Sequence, residues 1–325
     1  MFKPYFILFL LIFISSCSYT INPQDSINKG IQYLKSVENL DLSYKDTYLE
    51  YVYPSEKLEC PPQNCTLTYR KLDAFFNLIF IKNEFNEYKP LESSVNEANN
   101  ILESLLPLWR EEKLYNIIND SMQKPNGLAL DTYCILGYLY NDKQMAVLVQ
   151  NSLYLNKWLP DNFYEGDQDF RTIADESWCV RLIQKHYKEK IRFVKEKLVQ
   201  DTYNYLKENH IKITKVNAAI HTLTMLVEFN EPSKDIKYFQ DYIANSINDK
   251  ETWQDTTTLA NILDVLILSN YQNKAKIDKI AQELITRQEN NGSWLLSKNA
   301  PKNFGQVFTT FRVIIALNKY QKWQK

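Results

Sequence analysis

Two stretches near the C-terminus, Asn261-Ile-Leu-Asp-Val-Leu-Ile-Leu268 and Thr310-Phe-Arg-Val-Ile-Ile-Ala-Leu317, decide how the chain is read. Each is one polar residue followed by seven mainly apolar ones. Four further stretches of the same form begin at Asp73, Asp131, Asp175 and His221, so successive starts lie 58, 44, 46, 40 and 49 residues apart. A recurrence at a nearly fixed spacing is the mark of a repeated helical unit.

Between these runs lie more polar, amphipathic segments, at roughly 24–37, 92–118, 143–156, 187–208, 234–248 and 274–290. A helix that is apolar nearly all round is buried, whereas one with a single apolar stripe lies outside it. Six inner helices alternating with about six outer ones predict an all-α fold of the α/α-toroid type, two concentric rings of helices. The competing arrangement is a tetratricopeptide-like solenoid, whose period of about 34 residues is shorter and more regular than the one seen here. The spacing favours the toroid. Residues 40–68, with Pro54, Pro61 and Pro62, form the longest stretch expected to be irregular.

The last repeat carries a family resemblance. Gln288-Glu-Asn-Asn-Gly292-Ser-Trp294, followed by Gly305 and the run Phe308–Leu317, resembles the QW motif of the terpenoid cyclases and protein prenyltransferases. Gly292 suits a left-handed turn after the outer helix. Gln288 is placed to bond neighbouring backbone, and Trp294 to pack between adjacent repeats. The resemblance implies the toroid fold. It does not imply the chemistry, because the motif lies outside the family's catalytic centres.

At the other end, Lys3, the apolar run Tyr5–Ile14 and then Ser15-Ser16-Cys17 have the form of an export signal, too short to span a bilayer as a helix. Ile14-Ser15-Ser16-Cys17 resembles the lipobox of bacterial-type lipoproteins. That implies a signal peptide at 1–17, a lipidated Cys17 and a mature domain at 18–325. A plain secretory signal cut near Ser18 is the alternative. The expected location is therefore the cell envelope, anchored in a membrane by lipid, or the exterior. Cys60-Pro-Pro-Gln-Asn-Cys65 fits a short disulfide loop in an oxidising compartment, with a zinc pair as the weaker option. Cys134 and Cys179 fall inside apolar helical runs and are expected as buried free thiols.

Charge is nearly balanced, 38 Lys+Arg against 39 Asp+Glu, which excludes the basic excess of a nucleic-acid platform. No P-loop, Gly-rich dinucleotide turn or Gly-x-Ser-x-Gly is present, so no cofactor is expected.

The starts of the inner helices, Asp73, Asp131, Asp175, His221, Asn261 and Thr310, would converge on one mouth of a ring. Polar density is highest around the third, with Glu165, Asp167, Asp169, Arg171, Asp175 and Glu176. Paired carboxylates in a recess suit general acid/base work, while acids at helix starts also serve as plain caps. Asp167-Gln168-Asp169 is half of the Asp-x-Asp-Asp acid of class II terpene cyclases, and the Asp-Asp-x-x-Asp metal site is missing. Asp175, Cys179 and His221 have the residue types of a prenyltransferase zinc site without its spacing.

Three functions are open on these grounds. The first is an anchored toroid that binds a small apolar molecule, a glycan or a partner in its central cavity. The second is a carbohydrate-active hydrolase or lyase using Asp131, Asp169, Asp175 and Glu176, with Arg171 or His221 steering an anionic sugar. The third is a protein-interaction scaffold.

Overall fold

The computed structural model describes residues 22–37, 57–60, 65–85, 89–110, 128–155, 170–187, 192–229, 234–301 and 306–325. These form an all-α protein with one short hairpin. In chain order the helices are α1 (Pro23–Val37), α2 (Tyr69–Glu84), α3 (Glu92–Arg110), α4 (Leu128–Leu139), α5 (Lys143–Leu155), α6 (Phe170–His186) and α7 (Arg192–Lys207). There follow α8 (Lys212–Glu228), α9 (Lys234–Ser246), α10 (Lys250–Gln254), α11 (Thr256–Leu268), α12 (Lys274–Thr286) and α13 (Gln306–Trp323). The signal segment and Cys17 lie outside the described residues. No helix among those described is long and apolar enough to cross a membrane.

The two helix classes follow the sequence pattern. On α1, Ile27, Ile31 and Leu34 recur at helical spacing and are buried, while Asn28, Lys29 and Lys35 remain exposed. On α8 the burial is nearly complete, from Val216 through Leu226, and only one narrow stripe keeps exposed area. That stripe is Asn217, His221, Thr224 and Glu228, spaced i, i+4, i+7 and i+11, one face of a helix. On α11 the stripe is Asn261, Asp264 and Leu268, and on α13 it runs through Phe308, Arg312 and Lys319.

The nearly all-apolar helices contact one another in order: α2 with α4, α4 with α6, α6 with α8, α8 with α11, α11 with α13, and α13 back onto α2. The amphipathic helices α3, α5, α7, α9 and α12 each contact the two apolar helices that flank them in sequence, and α1 packs on α13. One hydrophobic cluster runs through them all, from Ile27 to Tyr320.

The turns that join apolar to amphipathic helices repeat as well. After α4 and after α11 a left-handed asparagine, Asn141 (φ 52°) or Asn270 (φ 53°), ends the helix. The amides of Asp142 and Tyr271 then reach back to the carbonyls of Gly137 (2.8 Å) and Leu266 (2.9 Å).

The QW-like segment works as a tie between the ends of the chain. The Gln288 amide donates to the Ser26 carbonyl (2.8 Å) and the Gly292 carbonyl (2.9 Å). Trp294 is fully buried, and its indole N–H donates to the Leu284 carbonyl (2.6 Å). Gly292 has φ +91°, and a Cβ there would lie 2.4 Å from the Lys29 carbonyl oxygen. Gly30 is needed for space: a Cβ would meet the Trp294 ring at 2.8 Å.

Two expectations are corrected. The 40–68 stretch contains an antiparallel hairpin, β1 (Lys57–Cys60) with β2 (Cys65–Thr68), whose register places Cys60 opposite Cys65; the two side chains lie outside the described residues. Cys134 and Cys179 are buried, as expected, but they are not free thiols. They form a disulfide between α4 and α6, with Cα atoms 4.9 Å apart.

Candidate functional site

The polar stripes of the apolar helices meet one another. Phe80 of α2 and Tyr138 of α4 approach Trp178 of α6, with ring centroids at 6.1 and 5.4 Å, the second pair edge to face. Arg181, one turn after Trp178, lays its guanidinium 3.8 Å from the Trp178 ring and 4.5 Å from the Tyr138 ring. Its Nε and Nη2 donate to the two carboxylate oxygens of Glu228 on α8, at 2.9 and 2.6 Å. The Tyr138 hydroxyl donates to the same carboxylate (2.9 Å). Burial opposes the charge on Arg181, but the Glu228 hydrogen bonds and charge outweigh it and hold the guanidinium above its ordinary value. Burial also pushes the Tyr138 hydroxyl up. The disulfide sits one turn before Tyr138 on α4 and two residues before Arg181 on α6, so it clamps the wall that carries this cluster.

A second ion cluster lies on the neighbouring stripes. The Lys319 ammonium of α13 contacts Asp264 of α11 at 2.7 Å and Glu84 of α2 at 3.8 Å. Burial works against its charge, and the attraction of Asp264 prevails, so its value is raised; repulsion from Arg181 reaches it as well. The two clusters therefore share one electrostatic environment.

His221 lies near enough to Arg181 and Arg312 for both charges to act on it. His221 keeps some exposed area but is ringed by protein, as a group in a recess is. Burial, then the charges of Arg181 and Arg312, push its imidazole down to about 3, so it is neutral at physiological pH. The Arg312 guanidinium lies 5.2 Å from the Phe308 ring centroid, and its buried Nε has no hydrogen-bond partner. Among the described residues no ion pair reaches it.

The residues singled out from the sequence fare unequally. His221 belongs to the interior, though ten residues into α8 rather than at the opening of its repeat. Glu176 does not join it. Burial, then the charge of Asp201, pushes its carboxyl up to about 8, while Lys197 counteracts, so Glu176 faces α7. It stands about 140° around α6 from Arg181. Asp131 lies in α4 and Asp175 in α6, but their side chains and all of Asp169 fall outside the described residues. The Asp175–Cys179–His221 zinc set loses its thiolate, because the Cys179 sulfur is bonded to Cys134. Among the described residues no three His, Cys, Asp or Glu side chains group as a metal site.

Arg181, Glu228, Asp264, Arg312 and Lys319 were not singled out as site residues. Their signal was present: most are charges embedded in otherwise apolar helical runs, which is costly unless they are paired or serve a ligand. Compared as a sequence, the chain matches no family model and no curated protein. Geometry and chemistry are what speak for the function.

Proposed function

We propose that this chain is an exported, lipid-anchored α/α toroid that binds a ligand on the inner face of its ring, without a cyclase or prenyltransferase active site. The observation that carries the reading is the convergence of Phe80, Tyr138, Trp178, Arg181, His221, Glu228 and Arg312, from five helices, on one environment of aromatic faces and fixed charges. Aromatic faces with a few placed polar groups are the usual lining of a ligand site, and they suit the flat face of a sugar ring or an apolar molecule. The toroid is supported by the order of contacts among the apolar helices, which returns from α13 to α2, and by the flanking of each pair by an amphipathic helix. Export is supported by the disulfide between α4 and α6, since such bonds persist in oxidising compartments.

The test is tryptophan fluorescence of the Cys17→Ala protein, titrated with neutral oligosaccharides and with an isoprenoid alcohol, against Trp178→Phe. A saturable change that the variant abolishes supports the reading. Binding that ignores position 178 refutes it. In cells, Cys17→Ala shifts the protein from membrane to soluble fractions; a mutant still held at the membrane would count against the lipid anchor.

One observation favours the carbohydrate-active enzyme as a second reading. Glu176 holds its proton at neutral pH beside the carboxylate of Asp201, and a carboxylic acid so poised is what glycoside hydrolysis asks of its general acid. Release of reducing ends from polysaccharides, lost in Glu176→Gln, would decide for it.

A further inference from the structure

Among the described residues, the cations of the inner stripes are unequally partnered. Arg181 has both oxygens of Glu228. Lys319 has Asp264 and Glu84. Lys185 donates to the Tyr138 carbonyl (2.7 Å) and stands over the Tyr138 ring. Arg312 keeps some exposed area, and among the described residues it meets the Phe308 ring at 5.2 Å, has a buried Nε with no acceptor, and lies near enough to His221 to act on it by charge. A guanidinium never loses its proton in a protein, and a buried N–H without an acceptor costs free energy until something meets it. What relieves it is an oxyanion, which the planar fork of an arginine takes with two parallel hydrogen bonds.

We infer that Arg312 and His221 form an oxyanion subsite, and that the ligand carries a carboxylate or a phosphate bound there while its body reaches toward the aromatic faces around Trp178. This rests on the ligand-binding reading above and specifies the ligand's class. His221 suits the second role. A neutral imidazole can present one ring N–H to the anion, and the charges of two cations, Arg181 and Arg312, both reach it. Among the described residues, the Glu228 and Asp264 carboxylates are engaged by Arg181 and Lys319, so neither repels the incoming anion from an unneutralised position.

The experiment is thermal unfolding of the Cys17→Ala protein with inorganic phosphate, sodium glucuronate or neutral glucose, at constant ionic strength. Arg312→Met and Arg312→Lys are run in parallel. An anion at ten times its Kd is expected to raise the wild-type Tm by about 1–3 °C. Arg312→Met abolishes that rise, and Arg312→Lys, which keeps the charge but not the fork, retains part of it. A larger effect of glucuronate assigns a sugar acid, and a larger effect of phosphate assigns a phosphate ester. No response to either anion, or a full response in Arg312→Met, overturns the subsite. If glucose or the fluorescence ligands still bind through Trp178, only the anion inference falls. If these also fail, the ligand-binding reading falls with it.

Discussion

The surroundings of Arg181 and of Arg312 make an instructive pair. Both arginines interrupt apolar runs on the mainly apolar helices, and both lie beside aromatic rings. Arg181 is closed on itself: a bidentate carboxylate, a tyrosine hydroxyl on that same carboxylate, two rings and a disulfide alongside. Arg312 is open, with a buried nitrogen unmet. The first has the form of a structural element and the second that of a binding element. A charge buried in a run of Val, Ile and Leu therefore does not announce its role; its partners do.

The comparison can be broken most forcefully at Glu228. Glu228→Ala leaves Arg181 buried without its counter-charge and is expected to lower stability by about 3–5 kcal/mol, measured by urea unfolding. Replacing the pair together, with Arg181→Met and Glu228→Leu, should recover most of that loss. If the single variant is as stable as wild type, Arg181 is not the closed element described here.

Next in size is the disulfide. Cys134→Ala with Cys179→Ala removes a link across 45 residues, with an expected loss of about 2–4 kcal/mol. The loosening should fall on the Arg181 side, seen as faster amide exchange in α4 and α6 and not in α11 and α13. Uniform loosening would mean that the two regions are one mechanical unit.

Titration separates the interior from its outer neighbour. The unfolded chain protonates His221 near 6.5, whereas the folded protein refuses the proton until about 3, so this group costs stability as pH falls through that window. Glu176 has the opposite sign. The folded protein keeps a proton up to about 8 that the unfolded chain releases near 4.5, so stability falls as pH rises between the two values. The slopes, each at most about 1.4 kcal/mol per pH unit, oppose one another from 4.5 to 6.5. His221→Gln should flatten the acid limb of a pH–stability curve, and Glu176→Gln the limb above 6.5. An unchanged curve in both variants would dismiss these assignments.

The smallest effect is expected at Arg312. Without ligand, Arg312→Met should change stability by less than about 1 kcal/mol, in either direction, because the arginine is partly exposed and no ion pair among the described residues is lost. A loss of 3 kcal/mol or more, the scale of a broken buried pair, would make Arg312 structural like Arg181.

Much of the helical plan was legible because burial imposes its own period. The segment read at 143–156 is Lys143–Leu155, and that at 234–248 is Lys234–Ser246. The segment read to 290 stops at Thr286, since the QW-like turn begins there and Gln288 bonds to the first helix instead of continuing α12. The hairpin escaped notice because Lys57–Cys60 and Cys65–Thr68 are four residues each within a Pro-rich stretch, too short for alternation to show. His221 was placed at a helix start because its apolar run begins there, while α8 itself begins at Lys212, nine positions earlier. Glu176 and His221 share polarity in the sequence, yet one faces α7 and the other the two arginines.

By itself, then, the sequence determined most of the helical segments and which of them are buried nearly all round, since these depend on neighbours within a few turns. Only the tertiary structure decided that Cys134 meets Cys179, that Glu228 answers Arg181, and that the Arg312 Nε is left without an acceptor among the described residues. Pairing depends on distance in space between helices far apart in the chain, and no local period encodes it.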